Sequence, residues 1–429
     1  MLSTGLQSII FLSLCLVQLI FCFHKTTNFR ENNVISQHSS HLKLRMFSTN
    51  EILPNLGSAS AVAGVIAFHE AGHFFAAKWQ GMKVQSFNIG YGPKLLSFND
   101  TMNTEFALRV LPLGGYVAFP SNIDINEEGE EVGELNDPDL LQNRPPLQRA
   151  LVISAGVLAN LLLTVILASG TAATSGISHQ IFDKGILVTA SPSTTSPAFK
   201  AGILKGDIVR SLNGIDVTNG KENSVTDDSI ERFVSNVRMN EGKPMELGIE
   251  RNGQALEKKF IVTPIKNQAG RVSVGINIGK KVNHVELDKA SNPIQAIGIG
   301  VRETEKLIYM TWNAFSTSLG NGFKGGEVGG PISVVRTGAS MAQATPTALI
   351  GFAATLSVNL AVLNALPYPA LDGGQLAFVM AELISGRKVP RKIQEAVTGL
   401  AFVGLLALGA TTFGGDISRL SDPIIISPK

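Results

Sequence analysis

Residues 61–79 read AVAGVIAFHEAGHFFAAKW, with His69-Glu70-Ala71-Gly72-His73 at the centre of an otherwise apolar stretch. On a helix, positions i and i+4 share a face about one turn apart, so the two imidazoles can hold one metal ion. Glu70 projects close by and can take a proton from a water at that ion. Ionisable groups inside a membrane span cost at least about 2.5 kcal/mol each and mark function. Three within five residues need a compensating partner, and a zinc ion is the simplest one.

A catalytic zinc needs a third protein ligand and an open position. The other histidines are His24, His38 and His41 near the start of the chain, and His179 and His284 outside any span. The only cysteines are Cys15 and Cys22. That leaves a carboxylate at membrane depth, and Asp372 closes a long uncharged run within Asn364-Ala-Leu-Pro-Tyr-Pro-Ala-Leu-Asp372-Gly-Gly374. Pro367 and Pro369 prevent a regular helix there, which allows Asp372 to be aimed inward. The competing reading makes Asp372 a helix cap for GGQLAFVMAELI.

The composition agrees with a membrane setting. Of 429 residues 44% are hydrophobic, only 16% are charged and 43 are glycine, and mean hydropathy is +0.20. Soluble domains carry about a quarter charged residues, so the composition argues against a wholly soluble fold and against disordered, collagen-like and disulfide-stapled classes. A net charge of +2 gives no reason to propose nucleic acid as a partner.

Four spans are expected: 52–79, 150–177, the longest uncharged run at 337–371, and 396–415. Arg144 and Arg149 before the second, and Arg387, Lys388, Arg391 and Lys392 before the fourth, put both loops on the cytosol-equivalent side. Residues 1–23 have the uncharged, Leu/Ile/Phe-dense character of a signal peptide, and 24–50 the basic, hydroxylated, acid-poor character of a transit peptide. Together they resemble the bipartite presequences of plastids bounded by extra membranes; the alternatives are a retained anchor or another organelle membrane. The first half of the membrane part then runs over 51–180 and the second over 281–429.

The insert between them, 181–280, has soluble composition. Asn213-Gly214 and Asn252-Gly253 punctuate alternating apolar stretches, with a helix expected over SIERFVSNVRMN and strands over MELGIER and KKFIVTP. The phrase Pro197-Ala-x-x-Ala-Gly202-x-x-x-Gly-Asp-x-Ile208, followed by Leu212-Asn-Gly214, resembles a PDZ domain. Such a domain takes an extended peptide onto a sheet edge; a spacer that only screens access is the alternative.

The buried HEAGH, the NxxPxxxLDGG stretch and the PDZ-like insert together resemble the site-2 protease family of intramembrane zinc metalloproteases, in its bacterial regulator-of-sigma-factor form and plastid relatives. Asn88-Ile-Gly-Tyr-Gly-Pro93, Leu111-Pro-Leu-Gly114-Gly115-Tyr-Val117, Gly156-x-x-x-Asn160 and Gly329-Gly-Pro-Ile332 also match, with Val157 where proline is usual. The resemblance implies a polytopic α-helical membrane protein with a membrane-associated β-hairpin region and one inserted β-rich PDZ domain. It implies one catalytic Zn2+ on His69, His73 and Asp372, Glu70 as general base, and Asn364 at the oxyanion or the substrate strand. Asn359, Gly114, Gly115, Gly202 and Asn160 are implied to contact substrate, which would be a transmembrane or membrane-anchored protein in the lipid bilayer. A non-catalytic PDZ-bearing scaffold has no use for this ligand array. A transporter would show paired internal repeats, and none is evident.

Overall fold

The computed structural model describes residues 49–125, 131–218, 225–266, 270, 272–320 and 330–421. The two expected targeting segments lie almost wholly outside these residues. The described chain divides into two compact units, Gly176–Asp288 and the remainder.

In the larger unit, helix α1 (Thr49–Trp79) carries the HEAGH motif. Strands β1 (Ser86–Asn99) and β2 (Glu105–Ala118) follow as an antiparallel pair. Asp100 accepts the backbone N–H groups of Met102 and Thr104 at 2.8 and 2.7 Å and so closes the turn between them. Both strands curl, so that 115–118, 86–89, 105–108 and 96–99 lie side by side. The expected hairpin is therefore a folded-over ribbon. The short pair β3 (Ile123–Ile125) and β4 (Glu131–Glu134) and a 3-10 turn at Leu141–Asn143 lead into the next helix.

Helix α2 (Pro146–Thr174) opens with proline at its first turn, where the missing N–H would have had no partner. Its buried positions Val152, Gly156, Asn160, Thr164, Ala168 and Ala172 form a line at spacing four.

The smaller unit contains β5 (Ile177–Ala190), β6 (Ile208–Leu212), β7 (Ile215–Asp216), β8 (Met245–Arg251), β9 (Gln254–Ala255), β10 (Phe260–Val262), β11 (Ile265–Lys266), β12 (Val272–Ser273) and β13 (Asn277–Asp288). Its main sheet has the order β10-β8-β6-β5-β13, with β7 and β9 pairing onto β6 and β8. Asn213 and Asn252 adopt φ of 51° and 53°, each followed by a glycine at 80°, the left-handed pair that a tight hairpin turn requires. Helix α3 (Pro197–Ala201) is capped by Ser196, and α4 (Asp227–Met239) by a reciprocal Thr226/Ser229 box. Ile186, Val188, Ile203, Val209, Leu247 and Phe260 fill the core beneath the sheet. The unit extends past the expected 181–280 because β5 and β13 keep pairing from Ile177↔Asp288 onward.

Back in the larger unit come α5 (Pro293–Gly320), α6 (Pro331–Ala344), α7 (Pro346–Asn364), α8 (Asp372–Ser385) and α9 (Arg391–Ser421). Helix α2 is the hub, packed against α1, α5, α7 and α8.

Among the described residues three helices, not four, are long and apolar enough to cross a membrane: Pro146–Thr174, Thr347–Asn364 and Arg391–Asp416. Helix α1 has the length, but His69, Glu70 and His73 dilute its apolarity. The run 337–371 is likewise not one span. Thr345 ends α6 and caps α7, accepting Ala348 N–H at 3.1 Å, with Pro346 as the first residue of the new helix. Helix α5 was not expected at all: Arg302, Glu303, Glu305 and Lys306 sit in its middle and break the apolar pattern.

Candidate metal centre

Three side chains meet at one point. His69 Nε2 lies 3.2 Å from His73 Nε2 and 3.1 Å from Asp372 Oδ2, and His73 Nε2 lies 3.3 Å from that same oxygen. His69 and His73 come from successive turns of α1, their rings nearly perpendicular at 85°. Asp372 is the first residue of α8, where the helix dipole favours a carboxylate. Leu371 occupies the cap position and no side chain caps the helix there, so Asp372 is free to face the histidines. Gly373 and Gly374 let the 365–371 turn press on the start of α8: a Cβ on either would collide with the carbonyls of Ala365, Leu366 or Tyr368. The Tyr368 hydroxyl donates to Ala401 O on α9 at 2.8 Å, pinning that turn from outside.

The protons decide what this triangle can be. His73 Nδ1 lies 2.8 Å from the Val152 carbonyl, which can only accept, so Nδ1 carries a proton and Nε2 is the nitrogen turned toward a metal ion. Asp372 Oδ2 meets only the two imidazole nitrogens, and the buried Glu70 Oε1 has no hydrogen-bond donor. Two imidazole nitrogens and a carboxylate oxygen converging on one point are a donor set that suits a shared metal ion. The edges of the triangle also fit: a tetrahedral zinc with bonds of about 2.0–2.1 Å sets its ligands about 3.3 Å apart.

Close helix packing builds the centre. A Cβ on Gly72 would run into the Ala155 carbonyl and the Ala159 methyl, and one on Gly156 would strike His73 Nε2 and both imidazole Cε1 atoms. Helices approach this closely where small residues meet.

Around the triad, Glu70 Oε2 accepts the Val117 backbone N–H at 3.1 Å, so the end of β2 orients the carboxylate. Gly114 and Gly115 lie just before it in that strand. Gly114 has φ of 123°, and a Cβ on Gly115 would collide with Asn88 O. Asn364 places its carboxamide 3.3 Å from His69 Nε2, beside the metal position.

Other expected site residues are found elsewhere. Asn359 accepts a 2.5 Å bond from the Thr311 hydroxyl on α5. Asn160, 0% exposed, faces His69 Nδ1 at 3.2 Å rather than an open surface. Gly202 is in the smaller unit, where it ends α3 in the left-handed region and its carbonyl accepts from Arg251 at 2.9 Å. The Val152 carbonyl and Val117 N–H were missed because backbone groups leave no mark on composition or spacing. Gly156 stood in a recognised motif, but its contact with His69 and His73 is visible only in three dimensions.

The profile of peptidase family M50 matches residues 58–408. A Nostoc sp. protein provisionally named a zinc metalloprotease is 36% identical over 370 residues, 85% of this chain and 96% of its own. The membrane metalloprotease ARASP, chloroplastic, of Arabidopsis thaliana is 31% identical over 364 residues, 82% and 76% of the two chains. A solved PDZ domain from an SdrC-like protein of Listeria monocytogenes aligns with 23% of this chain and 93% of its own, at 13% identity and a TM-score of 0.18. With matches running through HEAGH and LDGG alike, the chain belongs to peptidase family M50 and is a membrane zinc metalloprotease of intramembrane proteolysis.

Proposed function

We propose that His69, His73 and Asp372 hold the catalytic zinc, that Glu70 is the general base, and that the substrate is a membrane-spanning or membrane-anchored protein cleaved beside α1. The triangle of His69 Nε2, His73 Nε2 and Asp372 Oδ2, 3.1–3.3 Å apart, carries this reading. Bound zinc supplies a Lewis acid that eases deprotonation of water and polarises a peptide carbonyl. Glu70, anchored through Oε2 to Val117, takes the water proton on its unpartnered Oε1 as the water oxygen bonds to the carbonyl carbon. It then delivers that proton to the amide nitrogen as the C–N bond breaks. Asn364 donates its amide N–H to the oxygen that gains charge. Gly114 and Gly115, with no side chains and next to the strand segment that holds Glu70, offer backbone to an extended substrate strand.

We further infer that α1 is a fourth membrane-embedded helix, its ionisable groups turned inward onto the metal. Two contacts support putting the loops before α2 and before α9 on the same, cytosol-equivalent side. Arg149 pairs with Glu382 at 2.5 Å, and Lys388 donates to Gln142 O at 3.2 Å. The PDZ reading of Gly176–Asp288 rests on its sequence phrase and its capped helices over a small sheet, and implies an extended peptide as its ligand. The chloroplastic and cyanobacterial relatives support a plastid membrane, inner envelope or thylakoid, as the location.

Glu70→Gln tests the chemistry. Cleavage of a membrane-anchored reporter is expected to vanish while zinc stays near one per chain; retained cleavage would refute the assignment. A fluorescent fusion of residues 1–60 tests location, and signal confined to a membrane other than the plastid's would overturn it.

A further inference from the structure

We propose that Asn160 is a positioning residue for the metal centre: its carboxamide oxygen accepts the Nδ1 proton of His69 and thereby commits that ring to present Nε2. The proposal rests on the reading of His69 as a zinc ligand. Metal-bound imidazoles are generally oriented by what their other nitrogen meets. For His73 that partner is the Val152 carbonyl at 2.8 Å. For His69 the group at Nδ1 is the Asn160 carboxamide, 3.2 Å away. Both partners belong to one stripe of α2, in which Val152, Gly156 and Asn160 recur at spacing four. The stripe offers the two rings a carbonyl, an empty space and a carboxamide in turn.

Asn160 is suited to this and to little else. It is 0% exposed and His69 is 2% exposed, so neither substrate nor water reaches the contact. Its own carbonyl accepts the hydroxyls of Thr164 at 3.0 Å and Ser357 at 2.9 Å, which lock its backbone between α2 and α7. With Nδ2 toward the ring, the carboxamide oxygen is buried without a donor. Turning the amide by half a rotation seats that oxygen on Nδ1–H, and the two ends of a carboxamide have the same shape. Only this orientation leaves a lone pair on His69 Nε2, the atom that points at His73 and Asp372.

The test is zinc affinity of the full-length protein in detergent, measured by competition with a chelator. Asn160→Leu is expected to weaken zinc binding roughly 10–100-fold. Asn160→Asp, which keeps an accepting oxygen, is expected to recover it to within a few-fold of the parent. Undiminished affinity in Asn160→Leu, or equal loss in both variants, would overturn the proposal, since a purely packing role makes no distinction between acceptor and hydrocarbon. The unsubstituted protein supplies a second readout that needs no variant to fold. With 15N-labelled histidine and zinc bound, His69 is expected to carry its proton on Nδ1 and its metal on Nε2; the opposite assignment overturns the proposal. A His69→Ala protein that keeps its zinc would instead defeat the ligand reading on which the proposal rests.

Discussion

Gly156→Ala puts the helix contact and the metal centre to one test. The added methyl would sit 2.7 Å from Cε1 of both His69 and His73, and closer still to His73 Nε2. A normal carbon contact is about 3.5 Å, so roughly 0.8 Å of displacement must be found. It cannot come from a flexible tip. His73 is tied to Val152 O at 2.8 Å, and α2 is held to α7 through the Ser357 hydroxyl. Ligand distances tolerate only about 0.2 Å, so the imidazoles leave their positions. Inserting one methyl into a tight core costs about 1–3 kcal/mol. Placed on the metal-bound state, that cost weakens zinc binding by roughly 5- to 150-fold at 1.4 kcal/mol per decade. The assay is zinc content and chelator competition on purified protein, with cleavage of a membrane-anchored reporter alongside. Gly170→Ala is the control: it lies on the same helix, a Cβ there meets nothing within 4 Å, and binding is expected to be unchanged. Parental zinc affinity and cleavage in Gly156→Ala would refute the close approach of α2 to His69 and His73.

Two further substitutions probe the frame around the site. Arg149 and Glu382 form a 2.5 Å pair with side chains only 13% and 11% exposed. Arg149→Leu is expected to cost about 3–5 kcal/mol by stranding Glu382, and adding Glu382→Leu to restore most of it; thermal unfolding in detergent reads both. Asp416 accepts the backbone N–H groups of Gly330, Ile332 and Ser333 at 3.0–3.1 Å, capping α6 from the far end of α9. Asp416→Ala is expected to cost about 1–2 kcal/mol of stability while zinc stoichiometry stays at one.

The parts of the fold that were legible are those in which a local rule meets no competitor. Asn213-Gly214 and Asn252-Gly253 are turns because few other pairs adopt two successive left-handed residues, and the strand MELGIER follows from plain alternation. HEAGH was legible because its spacing is a property of the helix alone. The break at Thr345-Pro346 was visible as residues but was outweighed by the uninterrupted apolarity around it. Helix α5 failed for the opposite reason. Four charges hide a helix whose buried Ala296, Ile299, Gly300 and Thr304 face its neighbours. The motif that holds Asn160 was recognised, yet nothing along the chain says that a carboxamide on α2 lies against a histidine of α1.

The metal centre is assembled from pieces far apart along the chain, with His69 and Asn364 in contact across 295 positions. Bringing such distant points together costs about 5 kcal/mol in chain entropy at a separation of this size. On the ribosome, the half that carries Glu70 is made long before the half that carries Asp372. A chain truncated between them therefore holds the two imidazoles and Glu70 but lacks Asp372. Any cut of the chain between Gly72 and Asp372 that lets the two parts separate therefore disassembles the centre, however intact each part remains.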